Sequence, residues 1–328
     1  MRYFLLSIIF LSSAMAMALA PGSAHDQLGV VNSAVLTPCN SSGMSGATCY
    51  GLWVSCPDVA PAPVTLKVFE PKHAIGLVIL GTGGLGNSFY ESATYGTVTI
   101  ADLLAAHFRV VEMVFSSGWQ ANANGAGLRK AACRYATAAN WVKSLFSAYQ
   151  PVCASGNSAG AAVVGYGLSH YGLDQTLNFV LLSSGPPFSR VDWACDNSQP
   201  PTLEYCANVM KGMAVGIDNA QRFLDPAYEP TYQAACSTMQ QEHSTALDYM
   251  FQPDSIVSRD ANLNYKIGVE FMYGAQNTQG TPINQGEYYR RSILSPTLRS
   301  CIQDAPHIIP DVLDGAEAIA AELIKHCR

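Results

Sequence analysis

Pro151-Val152-Cys153-Ala154-Ser155-Gly156-Asn157-Ser158-Ala159-Gly160 decides how this chain reads. A short apolar strand runs into Gly-x-Ser-x-Gly, and a small-residue helix follows through Ala161-Ala162-Val163-Val164. The five-residue pattern alone says little in a chain with 27 glycines, so its flanks carry the meaning. Strand, tight turn and helix together form a nucleophile elbow, in which the central side chain is exposed at the top of the sheet by a strained backbone. A Cβ at Gly156 or Gly160 should collide with the neighbouring strand or helix. Ser158 should stand at a helix N-terminus, where free N–H groups and the dipole favour negative charge.

Outward from the elbow, apolar runs alternate with helical segments. Val64–Phe69 alternates like a strand, and Ala74–Leu80 is a continuous apolar run typical of a central parallel strand. It ends in Gly81-Thr82-Gly83-Gly84-Leu85-Gly86. A helix over 97–107, a strand over 108–115 and an amphipathic helix over 127–148 lead to the elbow. Beyond it, strands are expected at 178–183, 266–273 and 298–302, with helices at 284–293 and 311–326. This order predicts an α/β fold, a mainly parallel central sheet flanked by helices. Residues 193–260 carry three cysteines and no such strand, and read as a helical, disulfide-containing insertion or lid. Residues 25–65, rich in Gly, Ser, Pro and Cys, show only short β-like pieces such as Gly29–Val31.

The first 24 residues read as a secretory signal peptide: one positive charge, an apolar core, then small residues with Ala-x-Ala spacing. Cleavage fits after Ala16, Ala18 or Ala24, leaving a domain over 25–328 that is secreted or periplasmic, with no further membrane span. Ten cysteines in an exported chain predict up to five disulfides. Cys301–Cys327, Cys195–Cys206 and Cys133–Cys153 are the expected pairs. Neither Cys-x-x-Cys nor His-x-x-x-His occurs, so no metal site is expected. A net charge of −6 with 13% charged residues and no basic block speaks against nucleic acid as partner.

Serine needs a base within hydrogen-bond reach. Of seven histidines, His307 alone lies between the last strand and the last helix, where a loop can reach over the sheet's C-terminal edge. With Gly-Asn-Ser-Ala-Gly at 156–160, the glycine loop at 81–86 and Asp304-Ala305-Pro306-His307, the chain resembles the α/β-hydrolase superfamily from about residue 64 to its end, the insertion excepted. The resemblance implies Ser158 as nucleophile and His307 as base. It also implies an oxyanion hole from the Ala159 N–H and that of Thr82 or Gly83. Gly81-x-Gly83-x-x-Gly86 also fits a dinucleotide fingerprint, but export and the Ser158–His307 pair argue against one, and no cofactor is expected.

The acid departs from the family pattern. Asn277 stands after the 266–273 strand where Asp or Glu belongs, and an asparagine can orient imidazole without stabilising imidazolium by charge. Asp192, in the loop after the 178–183 strand, is the expected acid, with Asn277 the alternative. Trp119 and Tyr90 follow strand ends and are expected to line a substrate pocket. The implied activity is hydrolysis of small or medium carboxylic esters, with polymeric esters also open. A peptidase of this fold and a catalytically inactive binding protein are the rivals.

Overall fold

The computed structural model describes residues 25–39, 43–146, 151–196, 206, 220–242, 245–277 and 279–328. The leader segment 1–24, His243 and parts of the insertion therefore lie outside the described residues. Apolar runs become strands, and amphipathic stretches become helices between them. In chain order these are β1 (Val30–Thr37), β2 (Thr48–Cys56), β3 (Val59–Phe69), β4 (Gly76–Gly81), α1 (Gly96–Ala105), β5 (Phe108–Phe115), α2 (Gly127–Phe146), β6 (Val152–Asn157), α3 (Ala159–Tyr171) and β7 (Phe179–Ser183). The segment between β7 and β8 supplies α4 (Val191–Asp196), α5 (Ala220–Tyr228), α6 (Ala235–Glu242) and α7 (Thr245–Phe251). The chain then returns to the sheet with β8 (Gly268–Gly274), α8 (Gly280–Ser292), β9 (Thr297–Ile302) and α9 (Leu313–His326).

One nine-stranded sheet has the order β1-β2-β3-β5-β4-β6-β7-β8-β9. The run from β5 to β9 is parallel, and β1, β2 and β3 extend it antiparallel beyond β5. Alternation along each parallel strand builds two apolar layers. Leu77, Ile79 and Ala154 face the layer of α2 and α3, while Val78, Leu80 and Cys153 face the layer of α1 and α9. No helix among the described residues is long and apolar enough to cross a membrane.

Five disulfides close the chain, but none is a pair expected from sequence: Cys39–Cys49, Cys56–Cys133, Cys153–Cys327, Cys195–Cys236 and Cys206–Cys301. Cys133 cannot meet Cys153, because they lie in the two layers on opposite faces of the sheet. Cys133 instead reaches β2, and Cys153 pins the elbow strand to the end of α9. Cys195 bonds to α6, which packs on α4, leaving Cys206 for β9. The long β1–β2 hairpin is a further departure. β1 is largely exposed and lacks the alternation that would mark a half-buried strand.

Candidate active site

At the C-terminal end of β6 the backbone turns sharply, and Ser158 adopts φ 55°, ψ −119°. A serine with positive φ is costly, so the surroundings must hold it there. Its N–H donates to the Ser183 carbonyl at 2.8 Å, tying the turn to β7. A Cβ on Gly156 would sit 2.4 Å from the Gly160 backbone, and one on Gly160 2.5 Å from the Thr82 carbonyl oxygen. Glycine at both positions therefore lets strand, helix and the loop after β4 converge on Ser158. That loop comes close enough that a Cβ on Gly83 would lie 3.1 Å from Ser158 Cβ.

Ser158, Ala159, Thr82, Gly83, Tyr90 and His307 line one cavity of about 900 Å³. Tyr90 is buried and sits on a platform of charged groups. The Glu91 N–H donates to Glu112 Oε1 at 2.7 Å, and Lys67 Nζ meets Glu91 Oε1 at 2.6 Å. Burial pushes the Glu112 carboxyl up to about 7. Arg222 and Phe223 of α5, with Phe188, Pro282 and Ile308, complete much of the wall, so the helical segment between β7 and β8 contributes directly to the cavity. Sequence reading missed Arg222 and Phe223, because no motif marks a residue that arrives through an insertion.

His307 stands in the loop between β9 and α9, and burial among its neighbours pulls its imidazole down to about 4. Asn277 Nδ2 lies 3.2 Å from His307 Nδ1. Asn277 Oδ1 is already taken, accepting the Gln279 N–H at 2.8 Å. With the amide held this way its NH₂ faces the ring, which favours the tautomer in which Nδ1 accepts and Nε2 carries the proton.

The structure brings Asn277, not Asp192, to His307. Asp192 lies in the first turn of α4, buried, with both oxygens engaged by Arg190, one at 2.8 Å from Nε. Its charge is compensated there, and it does not line the cavity. Trp119 is likewise absent from the cavity wall. Its backbone N–H donates to the Leu85 carbonyl at 3.0 Å, and the ring packs against Tyr166 in the core.

The strand order, the glycine-flanked turn at Ser158 and the histidine loop before the last helix occur together on one sheet edge. The chain has the α/β-hydrolase fold. Solved structures agree. An arylesterase aligns with TM-score 0.52 at 13% identity, over 89% of this chain and 88% of that one. A variant of the esterase rPPE aligns at 0.51 and 13% identity, over 87% and 84%. Alpha/beta hydrolase domain-containing protein 10 from mouse aligns at 0.50 and 10% identity, over 84% and 97%. No protein-family model and no curated protein matches the sequence. Asn277 stands beside His307 where the resemblance implied an acid.

Proposed function

We propose that the protein is an exported serine hydrolase acting on carboxylic esters, with Ser158 as nucleophile and His307 as base. One observation carries the reading: Ser158 stands on a strained elbow in the same cavity as His307 and the Thr82–Gly83 loop. In this mechanism His307 first passes to the tautomer with its proton on Nδ1, and Ser158 Oγ then attacks the ester carbonyl while Nε2 takes the serine proton. The oxyanion is held by the Ala159 N–H and by that of Thr82 or Gly83. Collapse returns the proton to the leaving alcohol, and water activated by His307 then releases the acyl group. A cavity of about 900 Å³ suits small or medium esters. The esterases among the structural neighbours point the same way. The leader-like residues 1–24 and five disulfides support export.

Asn277 favours a second reading. With the resting proton on Nε2, His307 offers a donor rather than a base, as a domain that binds without turnover could tolerate. A fluorophosphonate probe separates the two. The expected result is covalent labelling that peptide mass spectrometry maps to Ser158, whereas an unlabelled, folded protein would leave the binding reading.

A pH profile follows from the His307 environment. Burial holds the imidazole near 4, below its ordinary value of 6.5, so the neutral base persists well into acid. The kcat/KM of ester hydrolysis is expected to keep its plateau to about pH 5 and fall as His307 protonates below that. An acid limb centred on the ordinary histidine value would contradict the assignment.

A further inference from the structure

At the sheet edge away from the cavity, Glu270 of β8 points into the layer of α9, and Ser300 Oγ of β9 donates to its Oε1 at 2.8 Å. Its other oxygen, Oε2, is buried and receives no hydrogen bond among the described residues, although the residue is only 3% exposed. Glu322 and His326 approach from α9, four residues apart and so on one face of the helix. His326 Nε2 lies 3.2 Å from Glu322 Oε2. Oxygens of both carboxylates and a His326 nitrogen all lie within 4.8 Å of one another. Two carboxylates that meet beside an imidazole, one of them buried, form an electrostatically incomplete arrangement. Lys325 meets Glu322 at 3.0 Å but is largely exposed, and among the described residues it bonds only to that rim carboxylate.

We propose that Glu270, Glu322 and His326 form a structural divalent-metal site for Zn²⁺. Four-coordinate zinc with bonds of about 2.0–2.1 Å places neighbouring ligand atoms about 3.3 Å apart, matching the His326–Glu322 separation. Imidazole with carboxylates suits zinc better than calcium or magnesium, which take all-oxygen shells. A water would complete the shell on the exposed side. The ligand pattern is Glu-x-x-x-His with one residue from a distant strand, so a search for paired cysteines or histidines passes over it. Several supports are already in place. Ser300 fixes the Glu270 carboxylate, the His326 ring stacks on Phe179 at 4.8 Å, and the Cys153–Cys327 bond anchors the helix end one residue on. Bound metal would tie β8 to α9 without touching Ser158.

The test is calorimetric titration of the mature, tag-free, EDTA-stripped protein with Zn²⁺, together with thermal melts. The expected result is one ion per chain and a Tm raised by on the order of 3–6 °C at a hundredfold excess over Kd. Glu322→Gln and His326→Ala, both at half-exposed positions, should each weaken binding by about tenfold or more and cancel the melting shift. Glu270→Gln, which can keep the Ser300 hydrogen bond, should do the same. Absence of zinc binding in the wild type, or binding of equal affinity in the variants, would overturn the site. The readout is independent of ester hydrolysis, and labelling of Ser158 should be the same with and without zinc.

Discussion

Replacing Asn277 by aspartate is expected to raise kcat/KM for a p-nitrophenyl ester by about 10²- to 10⁴-fold. The gain follows from the direction of one hydrogen bond. Asn277 Oδ1 is held by the Gln279 N–H, so the amide nitrogen faces His307 Nδ1 and the ring proton sits on Nε2. Productive attack needs the opposite tautomer, with Nε2 free to take the Ser158 proton. An aspartate keeps the bond from Gln279 with one oxygen, while the other accepts from Nδ1–H, fixes that tautomer and stabilises the imidazolium formed in the transition state. Asn277 is only 1% exposed, so the new carboxylate would also favour protonated His307 strongly. The acid limb of the pH–rate profile should therefore move up from about 4. Steady-state kinetics of wild type, Asn277→Asp and Asn277→Ala provide the comparison, with the alanine variant, which frees Nδ1 from the amide NH₂, expected at or above wild type but well below Asn277→Asp. A folded Asn277→Asp protein no faster than wild type would refute the tautomer argument.

The residues that were legible in the sequence are those fixed by local chain geometry. The Gly156–Gly160 turn, the apolar runs of β4 to β8 and the histidine loop are continuous segments whose chemistry and neighbours are set by period and sterics. What escaped depends on which distant surfaces meet. The three pairs expected from sequence join cysteines close along the chain or in adjacent elements, but strand alternation puts Cys153 on the face opposite Cys133. Asp192 had the right chemistry and a plausible loop, yet Arg190, two residues away, holds it in the first turn of α4. Trp119 follows a strand as expected and then folds under the loop that carries Leu85. Asn277 was visible as an anomaly in sequence. Its consequence needed the orientation of the amide, which Gln279 decides.

Ser158→Ala is expected to lower ester hydrolysis at least about 10³-fold and to abolish fluorophosphonate labelling while leaving the protein folded. The fold should tolerate the change because Ser158 Oγ makes no hydrogen bond among the described residues, and the bond that anchors the turn comes from its backbone N–H. Alanine meets much the same steric penalty at φ 55°, so removing the hydroxyl adds little strain. Near-identical circular dichroism and a Tm close to wild type would show that the loss is chemical. Activity retained in Ser158→Ala would place the nucleophile elsewhere and sink the proposed mechanism. The two substitutions also test one another. Aspartate at 277 can act only through His307 on the Ser158 proton, so its gain should vanish when Ser158 is alanine. A double variant that still outpaces Ser158→Ala by the full factor would mean that the carboxylate is itself promoting hydrolysis, without the serine.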